Sequence, residues 1–129
     1  MKTFLMIIFF ILLCVPIVRS HPPSKVELSY DHDSQVLSID IWHLSRDLKD
    51  HYIRRIEVTH KKNKPQVFYL NRQTKKNHFK YEVDLKADAE DTVKVKINCI
   101  KGGTKSVVFV IPEQEEEDNE EQSTEKKQE

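Results

Sequence analysis

A chain of 129 residues with 33% charged and 38% apolar content holds one ordinary domain, and its formal net charge is zero. That balance hides a segregation. Residues 113–129 carry nine acidic residues against two lysines, a net of −7, while residues 21–112 carry +5. A charge of +5 without an aromatic–basic stripe excludes a nucleic-acid surface. No Ser-His-Asp, paired-carboxylate or phosphate-loop pattern is present.

Residues 1–20 open with Lys2 and run unbroken and apolar from Phe4 to Val18 before Arg19-Ser20. The run is short for a membrane span and Pro16 interrupts it, so it reads as a secretory signal peptide cut before His21. The protein is then exported, secreted or periplasmic, with no membrane attachment after cleavage. Cys14 leaves with the signal, so Cys99 is the only cysteine of the mature chain and no internal disulfide can form. No Asn-X-Ser/Thr sequon occurs. Residues 113–129 have no apolar residue to bury and are expected to be a disordered acidic tail.

Between them, residues 21–112 read as strands throughout. Lys25–Tyr30 alternates with Val26, Leu28 and Tyr30 on one face, and Val36–His43 with Leu37, Ile39, Ile41 and His43. The next junction, Leu44–Tyr52, is long enough for one helical turn at Ser45–His51. Ile53–His60 places Ile56, Val58 and His60 together, and Gln66–Leu70 is short and apolar. His78–Leu85 alternates through Phe79, Tyr81, Val83 and Leu85, and Thr92–Cys99 through Val93, Val95, Ile97 and Cys99. Ser106–Ile111 closes the set. Turn residues separate the runs, at Asp31–Ser34, Lys61–Pro65, Ala87–Asp91 and Gly102-Gly103. Seven short alternating runs predict an all-β fold, an immunoglobulin-like antiparallel β-sandwich of about seven strands.

Strand phase and direction select the residues that carry chemistry. Side chains alternate faces along a strand, so His43 and Cys99 fall in the inward phase at strand ends, whereas His78 is out of phase and faces solvent. If consecutive strands run up and down, His21, His43, His51 and Cys99 gather at one rim, with His32 and His60 at the other end. A thiolate with imidazoles suits iron, zinc or copper. Taken singly, His43 is equally a rim histidine bonded to backbone and Cys99 a small buried hydrophobe. Asp47 and Asp50 read as turn formers, with a role in orienting His43 or His51 as the alternative.

The run His43-…-Asp50-His51-Tyr52-Ile53, together with Cys99-Ile100-Lys101-Gly102-Gly103, resembles the iron domain of the desulfoferrodoxin/superoxide reductase family. The resemblance covers about His21 to Ile111. It implies an immunoglobulin-like sandwich whose ferrous iron (Fe2+) is held by histidines and an axial cysteine. The implied ligands are His43, His51, Cys99 and His21, and the implied partners are superoxide and a redox partner protein. Two departures stand out: the family's histidine three residues beyond the cysteine is Gly102 here, and Leu44 replaces the usual proline. The alternative expectation is a non-catalytic immunoglobulin-like binding module that has lost its metal.

Overall fold

The computed structural model describes residues 21–114. The expected signal peptide at 1–20 and residues 115–129 of the expected acidic tail lie outside the described residues. Seven strands follow in order: β1 Lys25–Asp31, β2 Val36–Trp42, β3 Ile53–His60, β4 Gln66–Tyr69, β5 His78–Asp84, β6 Thr92–Cys99 and β7 Thr104–Val110. They form a three-stranded sheet, β1-β2-β5, and a four-stranded sheet, β4-β3-β6-β7, with every pairing antiparallel. This is the expected immunoglobulin-like sandwich. One pairing departs from the constant-type arrangement, where the fourth strand joins the fifth. Here β4 adds to β3 instead, and Arg55 pairs with Tyr69.

Alternation builds the core. From one sheet come Val26, Tyr30, Leu37, Ile39, Ile41, Phe79 and Val83; from the other come Ile53, Ile56, Val58, Val93, Val95, Ile97 and Cys99. Each fully buried isoleucine or leucine contributes roughly 1.5–3 kcal/mol relative to exposure. Strict period two would send Ile53 outward, three residues from Ile56. A bulge between Ile53 and Arg55 absorbs one residue, so Arg54 and Arg55 pass in succession and both isoleucines bury.

Local chemistry fixes the turns. The β1–β2 turn is capped by Asp31, whose Oδ1 accepts the amides of Asp33 and Ser34 at 2.9 and 3.3 Å. The β6–β7 turn contains Gly102 at φ 92° and Gly103 at φ 95°, a left-handed backbone that side chains rarely adopt. The register pairs Lys25 with Trp42, Trp42 with His78, and Asn98 with Thr104, which defines one end of the sandwich. Asp31, Val36, Asp84, His60, Thr92 and Val110 lie toward the other end.

Candidate metal centre

Three segments meet at the first end. His43 continues the inward phase of β2 one residue past its last pairing, and its amide donates to Asn77 O at 3.0 Å. The junction that follows folds back on itself through short-range polar contacts. Ser45 is fully buried, its amide donating to Lys76 O at 2.7 Å and its hydroxyl reaching the carbonyls of Asp47, at 2.9 Å, and His51. Asp47 Oδ1 accepts the amides of Lys49 and Asp50, and His51 N–H donates to Asp47 O at 2.8 Å, completing one helical turn. That turn swings the His51 ring back over the sandwich end. The amide of Ile100 then donates to Tyr52 O at 3.0 Å, seating the His51 segment beside the end of β6 where Cys99 lies.

One ligand-capable atom from each of His43, His51 and Cys99 lies within 4.8 Å of the others. Two ligands of one metal at bonds of about 2.0–2.3 Å stand no more than ~4.6 Å apart, so a sub-ångström side-chain adjustment closes the set. The chemistry of the three fits such an ion. His43 is 2% exposed, and its Nδ1 lies 2.7 Å from Gln73 Oε1. Gln73 is 1% exposed and its amide nitrogen donates to His43 O at 2.8 Å and Lys75 O at 2.6 Å. The Gln73 oxygen therefore faces the ring, Nδ1–H of His43 donates to it, and the Nε2 lone pair is left toward the triad. His43 Nε2 and His51 Nε2 are both buried without a hydrogen-bond partner. Buried polar atoms are rarely left unpaired, and two imidazole nitrogens unpaired beside a thiol are what a cation would satisfy.

The electrostatics run the same way. Burial first, then the neighbouring His43, His21 and Lys101, push the His51 pKa below the ordinary histidine value, which leaves the ring free to ligate at neutral pH. Burial pushes the Cys99 thiol up, opposed by a hydrogen bond from the Lys101 amide and by the Lys101 charge. A cation displacing the thiol proton reverses that burial cost.

His21 takes an outer place. Its amide donates to Gly102 O at 3.0 Å and its ring lies 5.1 Å from that of His51, edge to face, outside the triad. It lines a cleft of about 700 Å³ with Pro22, Ser24, Leu44, Arg46, Lys101, His43 and His51, so the two histidines of the triad border the cleft while buried Cys99 does not. At the far end, His32 bonds Pro112 O and His60 bonds Asp91, both away from the triad. His78 faces outward, as its phase predicts. It lies at the triad's own end, paired with Trp42, but on the outer face, stacked on that indole at 4.4 Å and bonded to Asp40. Asp47 is a turn former, and Asp50 makes a 2.7 Å ion pair with Lys101. The residues that sequence reasoning missed are Gln73 and Ser45. Both sit in polar loops with no periodicity, and no sequence signal separates them from their neighbours.

No protein-family model matches the chain, and no curated protein matches it. Solved structures share its fold. One described as a myokine structure aligns with a TM-score of 0.54 and 14% identity, over 74% of this chain and all of that one. A family 76 glycoside hydrolase from a bovine Bacteroides thetaiotaomicron strain aligns at 0.52 and 18%, over 72% of this chain and 21% of that chain. A single-residue variant of the superoxide reductase (neelaredoxin) from Ignicoccus hospitalis aligns at 0.42 and 15%, over 72% and 80%. At such identities the likeness is one of fold alone, and the last is too low to bear on what the site does.

Proposed function

We propose that this chain is an exported metal-binding domain that holds a transition-metal ion through His43 Nε2, His51 Nε2 and Cys99 Sγ. The observation that carries it is the pair of buried, unpartnered imidazole nitrogens grouped with a thiol within 4.8 Å. Two nitrogens and a sulfur suit iron, zinc or copper, and a three-ligand set leaves a coordination position for a further ligand beside the cleft that His43 and His51 border. The finer reading is ferrous iron acting on superoxide. His43, His51 and Cys99 would hold such an iron, which would supply the one electron that, with two protons from water, takes superoxide to hydrogen peroxide; a redox partner protein would replace that electron. The chain's own part is to fix the His43 tautomer through Gln73, keep Cys99 out of bulk water, and present Arg46 to an anion at the cleft, Lys101 being paired with Asp50.

Gly102 favours a second reading, a binding module without metal. Where the similar family has a histidine, this glycine takes φ 92°, and its amide and carbonyl bond Cys99 O and the His21 amide, a geometry of its own. Elemental analysis of residues 21–129 after loading with Fe(II), Zn(II) and Cu(II) in turn separates the two. The expectation is one ion per chain, lost in Cys99→Ser. Iron loading then predicts a thiolate charge-transfer band that superoxide alters. Uptake unchanged in Cys99→Ser, or no uptake of any ion, rejects the metal site.

A further inference from the structure

Each sheet of the sandwich has two edges, and three of the four are guarded. The edge strand β4 is four residues long and follows Lys64-Pro65. Strand β1 carries Lys25, Glu27 and Asp31, and β5 carries Lys80, Glu82 and Asp84. Short length, proline and charge are the usual means of blocking edge-to-edge pairing. Strand β7 is neither short nor interrupted by proline, and it carries a single charge. It reads Thr-Lys-Ser-Val-Val-Phe-Val over Thr104–Val110, with Val108 62% and Val110 49% exposed. Its only charge, Lys105, is turned across the sandwich, where Nζ reaches Ser24 O at 2.7 Å. On the inner face Val107 and Phe109 are only half-buried against the core.

We propose that β7 pairs antiparallel with β7 of a second copy of this chain, joining two four-stranded sheets into one of eight. The strand is suited to itself. Pairing over its full length across a two-fold axis sets Thr104 opposite Val110, Lys105 opposite Phe109, Ser106 opposite Val108, and Val107 opposite its own mate. The two copies of Lys105 then stand four rows apart along the strands, about 14 Å, so like charges do not meet. Val108 and Val110 gain cross-strand partners on the outer face, and Phe109 is covered on the inner one. Residues 21–129 carry +5 and −7, a net of only −2, so overall repulsion between copies is weak. Such a contact is small, below the ~1,200 Å² of lasting assemblies, so the dimer is weak and concentration-dependent, with a Kd on the order of 0.1 mM.

The pairing predicts a crosslink that depends on which variants are mixed. Ser106→Cys and Val108→Cys, each alone, place their new thiols two rows apart, beyond the Cβ separation of about 3.5–4.5 Å that a disulfide needs. Mixed, they sit opposite one another and oxidise to a heterodimer; Cys99 is buried and stays out of the reaction. Sedimentation equilibrium of residues 21–129 should show monomer passing to dimer with rising concentration, and Val108→Lys should weaken it at least tenfold. Because Val108 faces solvent, that variant should keep its thermal midpoint, which separates lost pairing from lost folding. A monomer at every concentration overturns the proposal, even if the β7 amides resist exchange because residues 115–129 lie on that edge. Equal crosslinking in the unmixed variants overturns it too.

Discussion

Gln73 sets the scale at which the site is decided. Three of its hydrogen bonds end on buried or half-buried groups of the same corner, and one of them dictates which nitrogen of His43 is available. Replacing it by leucine removes the acceptor for Nδ1–H and frees the ring to present either nitrogen inward. Gln73→Leu should therefore weaken metal binding about 10–100-fold, measured by competition with a chelator, and the ring 15N shifts of His43 should show mixed tautomers before any metal is added. Cys99→Ser should be more severe than loss of either histidine, because the thiolate is the only anionic donor. Gly102→His tests the ligand that the resemblance to the superoxide reductase family would place at this position. A Cβ there meets no atom within 4 Å, so the cost is that of the left-handed backbone, roughly 1–2 kcal/mol in a denaturant titration. With the turn held at φ 92° for glycine, no gain in metal affinity is expected.

At the scale of elements, most of the sandwich could be read from alternation. Inward and outward residues of β2, β5 and β6 follow period two without exception, which puts His43 and Cys99 at the core end of their strands. The bulge in β3 was not legible, because Arg54-Arg55 looks the same whether or not a residue is unpaired. Nor was the partner of β4, since a four-residue strand carries too little pattern to choose between β3 and β5. The loop geometry that brings His51 back, and the Gln73 brace, depend on polar contacts that leave no period in the sequence. A second brace holds the far end. Asp91 accepts from Lys61 at 2.7 Å, from the Asp88 amide at 3.0 Å and from His60 at 2.7 Å, tying the end of β3 to the turn before β6. The Lys61 bond first, then the Asp88 amide, with His60 adding to them, hold its carboxyl far below the ordinary carboxylate range. Its folded pKa lies below the unfolded value of 3.8, so the unfolded chain takes up the proton first. The stability it contributes is present above that value and is lost as pH falls through 3.8 and below. Asp91→Asn should therefore be less stable than the parent at pH 7, and urea titrations at falling pH should show the difference begin to shrink below about pH 4 and go on shrinking at every lower pH, rather than stay constant.

Across the whole molecule, the triad joins the two layers. His43 extends β2 of the three-stranded sheet, while His51 precedes β3 and Cys99 ends β6 of the four-stranded one. An ion held by all three would pin the two sheets together at this end of the sandwich. Binding to the folded chain but not the unfolded one stabilises it by mass action, about 2.7 kcal/mol at a free ion concentration 100-fold above Kd. For a domain of this size, each kcal/mol moves the thermal midpoint by about 4–8 °C, so loading should raise it by roughly 10–20 °C. The rise must depend on ion concentration and disappear on adding a chelator. Because Cys99 gives up a proton on binding, it should also grow as pH rises toward the thiol range. Differential scanning calorimetry of the parent and of Cys99→Ser, each with and without ion, makes the comparison. A rise in the parent that the serine variant lacks assigns the coupling to the triad, whereas an equal rise in both would place the ion elsewhere on the chain.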